Sequence, residues 1–152
     1  MKICDVLQKE AIVADLKSRN KKGVLEELVA PLAEIAAVNH EDLVKVLMER
    51  ERLGSTGIGG GIGIPHGKLK DLDSLVLGFG LSRKGVDFES LDGQPTHIFF
   101  LLVTPENSMG LHLKVLARIS RILKIDPFKD RLLNAANGDE IMEIIKEEDE
   151  EF

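Results

Sequence analysis

Apolar residues at Val24, Leu25, Leu28, Val29, Leu32, Ile35 and Ala36 keep the i, i+3, i+4 spacing of one helical face, so the segment is predicted to be a helix. Pro31 falls inside this stripe and is expected to kink or split it. A second stripe, Leu43, Val44, Leu47 and Met48, follows Asn39, a good N-cap, and its helix is predicted to end at Gly54. The short β-branched run Ala11 to Leu16 reads as a first strand and Ile62 to Ile64 as a brief one. Leu75 to Leu81 and Thr96 to Val103 read as longer strands, with the continuous apolar character of strands covered on both faces. Turns are expected at Lys84 to Phe88 and at Asp92-Gly93. Ser108 can cap a third helix that turns Val115, Leu116, Ile119, Ile122 and Leu123 inward. One or two short helices follow Pro127, to about Lys146. Helices alternating with buried strands predict an α/β fold: a central mixed sheet between helical layers.

Composition changes this picture little. The 152 residues suit a single domain spanning 1–152, and 43% hydrophobic with 30% charged residues is a globular balance. Apolar runs such as Ile98 to Val103 are strand length, so no direct membrane insertion is expected. The first residues turn polar too soon for a secretory signal, and a single cysteine, Cys4, allows no intramolecular disulfide. A cytoplasmic address follows as the expectation. A net charge of −6, without Trp or Tyr, argues against nucleic acid as a partner. The acidic end, about 147–152, reads as a solvated, fraying tail.

The chemistry concentrates in Gly54 to Lys68, where seven of fifteen residues are glycine and the run closes on Pro65-His66-Gly67. Glycine permits positive φ and close backbone approach, so this loop could present the imidazole beside bare amides able to bind an anion. A hairpin with a buried, satisfied histidine is the plainer alternative. Nucleotide motifs fail on spacing. Counting back from Gly67-Lys68 puts Ile62 where the phosphate loop needs its first glycine, and Leu69 where it needs a hydroxyl. The dinucleotide pattern places its third glycine on Ile62, Ile64 or His66.

Helical phase singles out two more residues. Arg50 lies at i+7 from Leu43 and i+3 from Leu47, while Arg52 is about 200° further round, towards solvent. An arginine on the buried face needs an anion, or else bonds helix-end carbonyls or snorkels to water. His112, in the first turn of the third helix, faces with Val115 and Leu116 and is either a core histidine or an anion donor. His40 reads as exposed, and His97 as a strand residue with no obvious polar partner. No carboxylate has metal-ligand spacing to these histidines, so neither a metal nor another cofactor is expected. A neutral imidazole beside cations and amides is suited to carrying a phosphoryl group.

These residues carry a family resemblance. Glu49-Arg50-Glu51, Leu53-Gly54-Ser55-Thr56-Gly57-Ile58-Gly59 and Gly61-Ile62-Gly63-Ile64-Pro65-His66 resemble the enzyme IIA domains of the bacterial phosphotransferase system, in the fructose/mannitol class that includes nitrogen-branch regulators. So do Asp92-Gly93-Gln94-Pro95, Leu101 to Glu106 and His112 to Ala117, and together the motifs span about Asp5 to Lys146. The resemblance implies that His66 is phosphorylated by a histidine-containing phosphocarrier protein. It also implies that His112 and Arg50 stabilise the phosphate. The leading expectation is a phosphotransferase component that passes the group to a cysteine of a sugar-specific enzyme IIB. The alternative is a nitrogen-type regulator that signals by binding other proteins. Gly63 stands where the family often has alanine, and Pro31 falls in a helix that is usually uninterrupted.

Overall fold

The structure is a computed structural model that describes residues 2–108 and 110–150, without the side chains of residues 111 and 112. Among these residues a short 3-10 turn (Ile3–Asp5) precedes β1 (Leu7–Val13), α1 (Lys21–Ala36), α2 (His40–Glu51), β2 (Gly57–Gly59), β3 (Ile62–Gly63) and β4 (His66–Leu69). Then come β5 (Val76–Val86), β6 (Thr96–Pro105), α3 (Leu111–Ile122), α4 (Asp126–Leu133) and α5 (Gly138–Glu150). The strands form one mixed sheet in the order β1-β5-β6-β3-β2, with β4 also on β6. β1 runs parallel to β5, β5 antiparallel to β6, and β3 and β4 parallel to β6.

Residues of both parities along β5 and β6, including Leu77, Phe79, Phe99, Phe100, Leu101 and Leu102, are buried, so the sheet is covered on both faces. That places it between helical layers, as the apolar runs imply. The pairs α1–α2 and α4–α5 each pack together; α1 lies on β1 and β5, α2 on β4, α3 on β6, and α4 and α5 on β6, β5 and β1. Phe79 and Phe100 pack edge to face at 5.0 Å, as do Phe88 and Phe99 at 5.1 Å. Such pairs add about 0.5–1.5 kcal/mol beyond burial.

Several local expectations are corrected. β1 begins at Leu7 rather than Ala11, because its parallel pairing with β5 starts at Leu7–Leu77. α1 runs through Pro31 without splitting. Pro31 cannot donate to the Glu27 carbonyl, but Val24, Leu25, Leu28, Val29 and Leu32 are all buried, and that burial outweighs one lost hydrogen bond. Asn39 caps α2 as expected, its side chain accepting from the Asp42 amide. Ser108 does not cap α3; it donates to the Pro105 carbonyl, and Gly110, at φ 82°, occupies the N-cap. The expected turn at Lys84-Gly85 is an irregularity within β5, with Gly85 at φ 90°.

The expected fraying is corrected as far as the described residues reach, residues 151 and 152 lying outside them: α5 continues to Glu150, and Asp149 is buried. Its carboxylate accepts from the Ile3 and Cys4 amides (3.1 and 3.0 Å) and from Arg118 Nε (2.7 Å), tying the two ends of the chain together. Burial opposes ionisation of Asp149, but these donors win and hold its pKa below the ordinary carboxylate value. Cys4 responds oppositely: burial, then the Asp149 charge, push its thiol up to about 11, so it is an unreactive thiol near pH 7. Because the folded pKa of Asp149 is depressed, its stabilisation is complete above about pH 4 and lost as pH falls through the folded value. Asp149→Asn should therefore cost about 2–3 kcal/mol at pH 7 in urea unfolding, with the gap to the parent narrowing below about pH 4. A gap that stays constant down to pH 2.5 would contradict this assignment.

Candidate functional site

His66 opens β4, where the chain resumes pairing with β6 after Pro65, and it sits opposite Leu102. The Pro65 carbonyl accepts the Leu102 amide at 3.0 Å, which fixes the backbone just before the histidine. His66 Nδ1 lies 2.8 Å from the Ile64 carbonyl. A carbonyl can only accept, so Nδ1 carries the hydrogen and the lone pair of the neutral ring is on Nε2. The imidazole is half-buried and lines a cavity of about 410 Å³ between α2 and β4.

Packing of α2 on β4 builds that cavity. A Cβ at Gly67 would meet Val46 Cγ1 at 3.0 Å, so the missing side chain lets the helix approach the strand. The approach brings Arg50, in the last turn of α2, into the cavity with His66. Arg50 is half-buried, and its Nη1 donates to the Gly54 carbonyl at 3.0 Å. The two readings of this arginine are thus compatible: it bonds a carbonyl beyond the helix end and still borders the imidazole cavity. Arg52 is exposed and lines a separate cavity with His40.

Lys68 and Thr104 also border the His66 cavity, as does Glu49 at its rim. Lys68 went unnoticed in the sequence, although strand alternation carries the signal: two residues after His66, it shares that residue's face of β4. Leu53, 84% exposed, stands at the cavity mouth. His112 is the second residue of α3, but its side chain lies outside the described residues. His40 is half-buried, with Nε2 at 3.1 Å from the Glu26 carbonyl. His97, expected to lack a partner, donates from Nδ1 to the Ser82 carbonyl at 2.8 Å. Antiparallel pairing of β5 with β6 supplies that carbonyl, which spacing alone could not reveal.

The glycine-rich segment does not cradle the imidazole with free amides. It forms the β2–β3 hairpin on β6, with Gly59, Gly60 and Gly61 at positive φ in the bend. The Gly60 amide donates to Asp92 Oδ2 and the Gly57 amide to Ser55 Oγ. Hydrogen bonds donated by the Gln94 and Gly60 amides and by the Ser90 hydroxyl hold the Asp92 pKa below the carboxylate norm. Along β6 the hairpin pairs at Ile98 and Phe99, whereas His66 pairs at Leu102, about 10–13 Å further on at ~3.3 Å per residue. Among the described residues, the cationic side chains that border the cavity with the imidazole are Arg50 and Lys68.

Residues 5–148 match the model of the family described as "Phosphoenolpyruvate-dependent sugar phosphotransferase system, EIIA 2". The chain belongs to this family. This EIIA domain is 40% identical to a "Nitrogen regulatory protein" of Bradyrhizobium diazoefficiens, over 95% of each chain. It is 38% identical to the "PTS system fructose-specific EIIABC component" of Bacillus subtilis, over 98% of this chain but only 24% of that larger protein. Its fold is similar to the crystal structure of nitrogen regulatory protein IIA-Ntr from Neisseria meningitidis, with a TM-score of 0.88, 32% identity, and coverage of 94% and 98% of the two chains. Among the described residues, no helix of the domain is long and apolar enough to cross a membrane.

Proposed function

We propose that this EIIA domain is a nitrogen-type regulator that carries a phosphoryl group on Nε2 of His66 and signals through proteins that bind one phosphorylation state. The observation that carries the chemistry is the Nδ1–H bond to the Ile64 carbonyl, which leaves Nε2 as the nucleophile in a cavity bordered by Arg50 and Lys68. Nε2 attacks the phosphorus of a phosphohistidine on a histidine-containing phosphocarrier. A new N–P bond forms as the donor N–P bond breaks, and its electron pair returns to the donor imidazole. The ring of His66 becomes cationic as it bonds phosphorus, and the Ile64 carbonyl accepting from Nδ1 stabilises that charge. Arg50 and Lys68 offset the phosphoryl oxygens, and His112 joins them in the role that the family resemblance implies.

The regulatory branch is favoured because the nitrogen regulatory protein of Bradyrhizobium diazoefficiens is 40% identical and IIA-Ntr of Neisseria meningitidis shares the fold at a TM-score of 0.88, against 38% and 30% identity for two fructose-specific relatives. That shifts the balance from the sugar-transfer role that the motifs first suggested. A cytoplasmic site of action goes with either branch. The test is to load the domain from a ³²P-labelled phosphocarrier, map the label, and then offer a fructose-type enzyme IIB. The regulator should be labelled on Nε2 of His66 and retain that label in the presence of IIB. Rapid discharge to a IIB cysteine would instead establish the sugar-transfer reading.

A further inference from the structure

We infer that Thr56 is a positioning residue for phosphoryl transfer, holding Arg50 and the ring of His66 in a common register. The inference rests on His66 being the phosphorylated residue. Thr56 is buried and uses all three of its polar groups. Its amide donates to Glu51 Oε1 at 3.1 Å, its hydroxyl donates to Glu51 Oε2, and its carbonyl accepts from the Ile64 amide at 3.0 Å. The first two bonds grip the residue next to Arg50 at the end of α2. The third grips Ile64, whose own carbonyl accepts from His66 Nδ1. One threonine thus joins the helix that carries the arginine to the group that fixes the imidazole tautomer.

The segment between the two grips explains why such a clamp is needed. The Gly54 amide donates to the Glu51 carbonyl at 3.1 Å, and the Gly54 carbonyl accepts Arg50 Nη1 at 3.0 Å. Gly54 sits at φ 142° and a Cβ there would meet nothing within 4 Å, so local packing does not immobilise it. Anchoring Thr56 two residues later sets where the Gly54 carbonyl, and with it the guanidinium, points. Glu51 is itself held by Lys21, whose Nζ lies 3.2 Å from Oε1 and 2.7 Å from Glu89 Oε2. The Lys21 ammonium also sits over the Phe88 ring, 5.2 Å from its centroid. The buried carboxylate is therefore a fixed anchor rather than a mobile one.

Thr56→Val keeps the shape and removes the hydroxyl, while Thr56→Ser keeps the hydroxyl. Single-turnover labelling across a range of phosphorylated phosphocarrier concentrations separates the maximal rate from the half-saturating concentration, and ¹⁵N NMR of the His66 ring reports its tautomer. Thr56→Val should lower the maximal rate at least about tenfold, because small misplacements of reacting groups are costly, with half-saturation within about twofold of the parent. Its ring signals should move from the single Nδ1–H form towards a mixture, and Thr56→Ser should recover the rate to within about threefold. A folded Thr56→Val protein with the parent's maximal rate and ring tautomer would overturn the inference, leaving Thr56 as packing alone. Should Thr56→Val not fold, Glu51→Gln, which weakens the same anchor, is judged by the same two readouts. A parent chain that takes no label on His66 overturns the phosphocarrier reading and this inference together; a normally labelled parent with an unaffected variant overturns only the latter.

Discussion

His66→Ala should abolish labelling from a phosphorylated phosphocarrier while leaving the domain folded. The other three histidines, His40, His97 and His112, are still present in that variant, so it tests position rather than residue type. The ring nitrogens of His40 and His97 that make hydrogen bonds do so with the Glu26 and Ser82 carbonyls, and neither ring borders the cavity that holds Arg50. The folding cost should be small, because the ring is only half-buried and its hydrogen bond among the described residues is to the Ile64 carbonyl. Water entering the enlarged cavity can satisfy that carbonyl, so the loss should be about 0.5–1.5 kcal/mol. Denaturant unfolding followed by circular dichroism measures the second quantity, and gel-resolved label the first. Normal labelling of the alanine variant would remove His66 from the chemistry altogether.

How much of this could be read in the chain varies by element. Helices α1 and α2 were legible because a one-sided stripe and a side-chain cap are local facts: Asn39 caps α2 where its spacing to Leu43 and Leu47 implies. Arg50 was legible for the same reason, since helical phase sets which face a residue takes before any partner is known. Features that depend on distant segments were not legible. The burial of Asp149 follows from the Ile3 and Cys4 amides and Arg118 meeting it, 31 to 146 residues away, and nothing in a run of acidic residues distinguishes that one. The glycine-rich segment misled for a related reason. Its composition announces unusual backbone geometry, and Gly59 to Gly61 do have positive φ, but only the pairing with β6 shows that the bend lies away from the imidazole. Thr56 enters the sequence reading only as one residue of the Leu53 to Gly59 motif, and its bonds to Glu51 and Ile64 are visible only in the folded chain.

Arg50→Ala should slow phosphoryl acceptance by His66 by about 10²–10³, the usual cost of about 2–4 kcal/mol for losing one oriented donor to a charged transition state. Arg52→Ala, two residues on, should change the rate less than about twofold, since an exposed surface cation contributes little beyond long-range attraction. The contrast follows from placement. Arg50 is half-buried at the His66 cavity and held through Gly54, whereas Arg52 is exposed and borders the cavity with His40. Both substitutions remove one positive charge, so any general effect on the approach of a charged carrier is shared and cancels in the comparison. Raising the salt concentration sharpens the distinction. A steering effect shrinks as the Debye length falls to about 3 Å near 1 M, while a directional bond inside the cavity persists. The deficit of Arg50→Ala should therefore survive high salt in single-turnover labelling. Equal rates for the two variants would mean that Arg50 serves only to hold the Gly54 carbonyl, leaving Lys68 as the described cation at the phosphoryl oxygens.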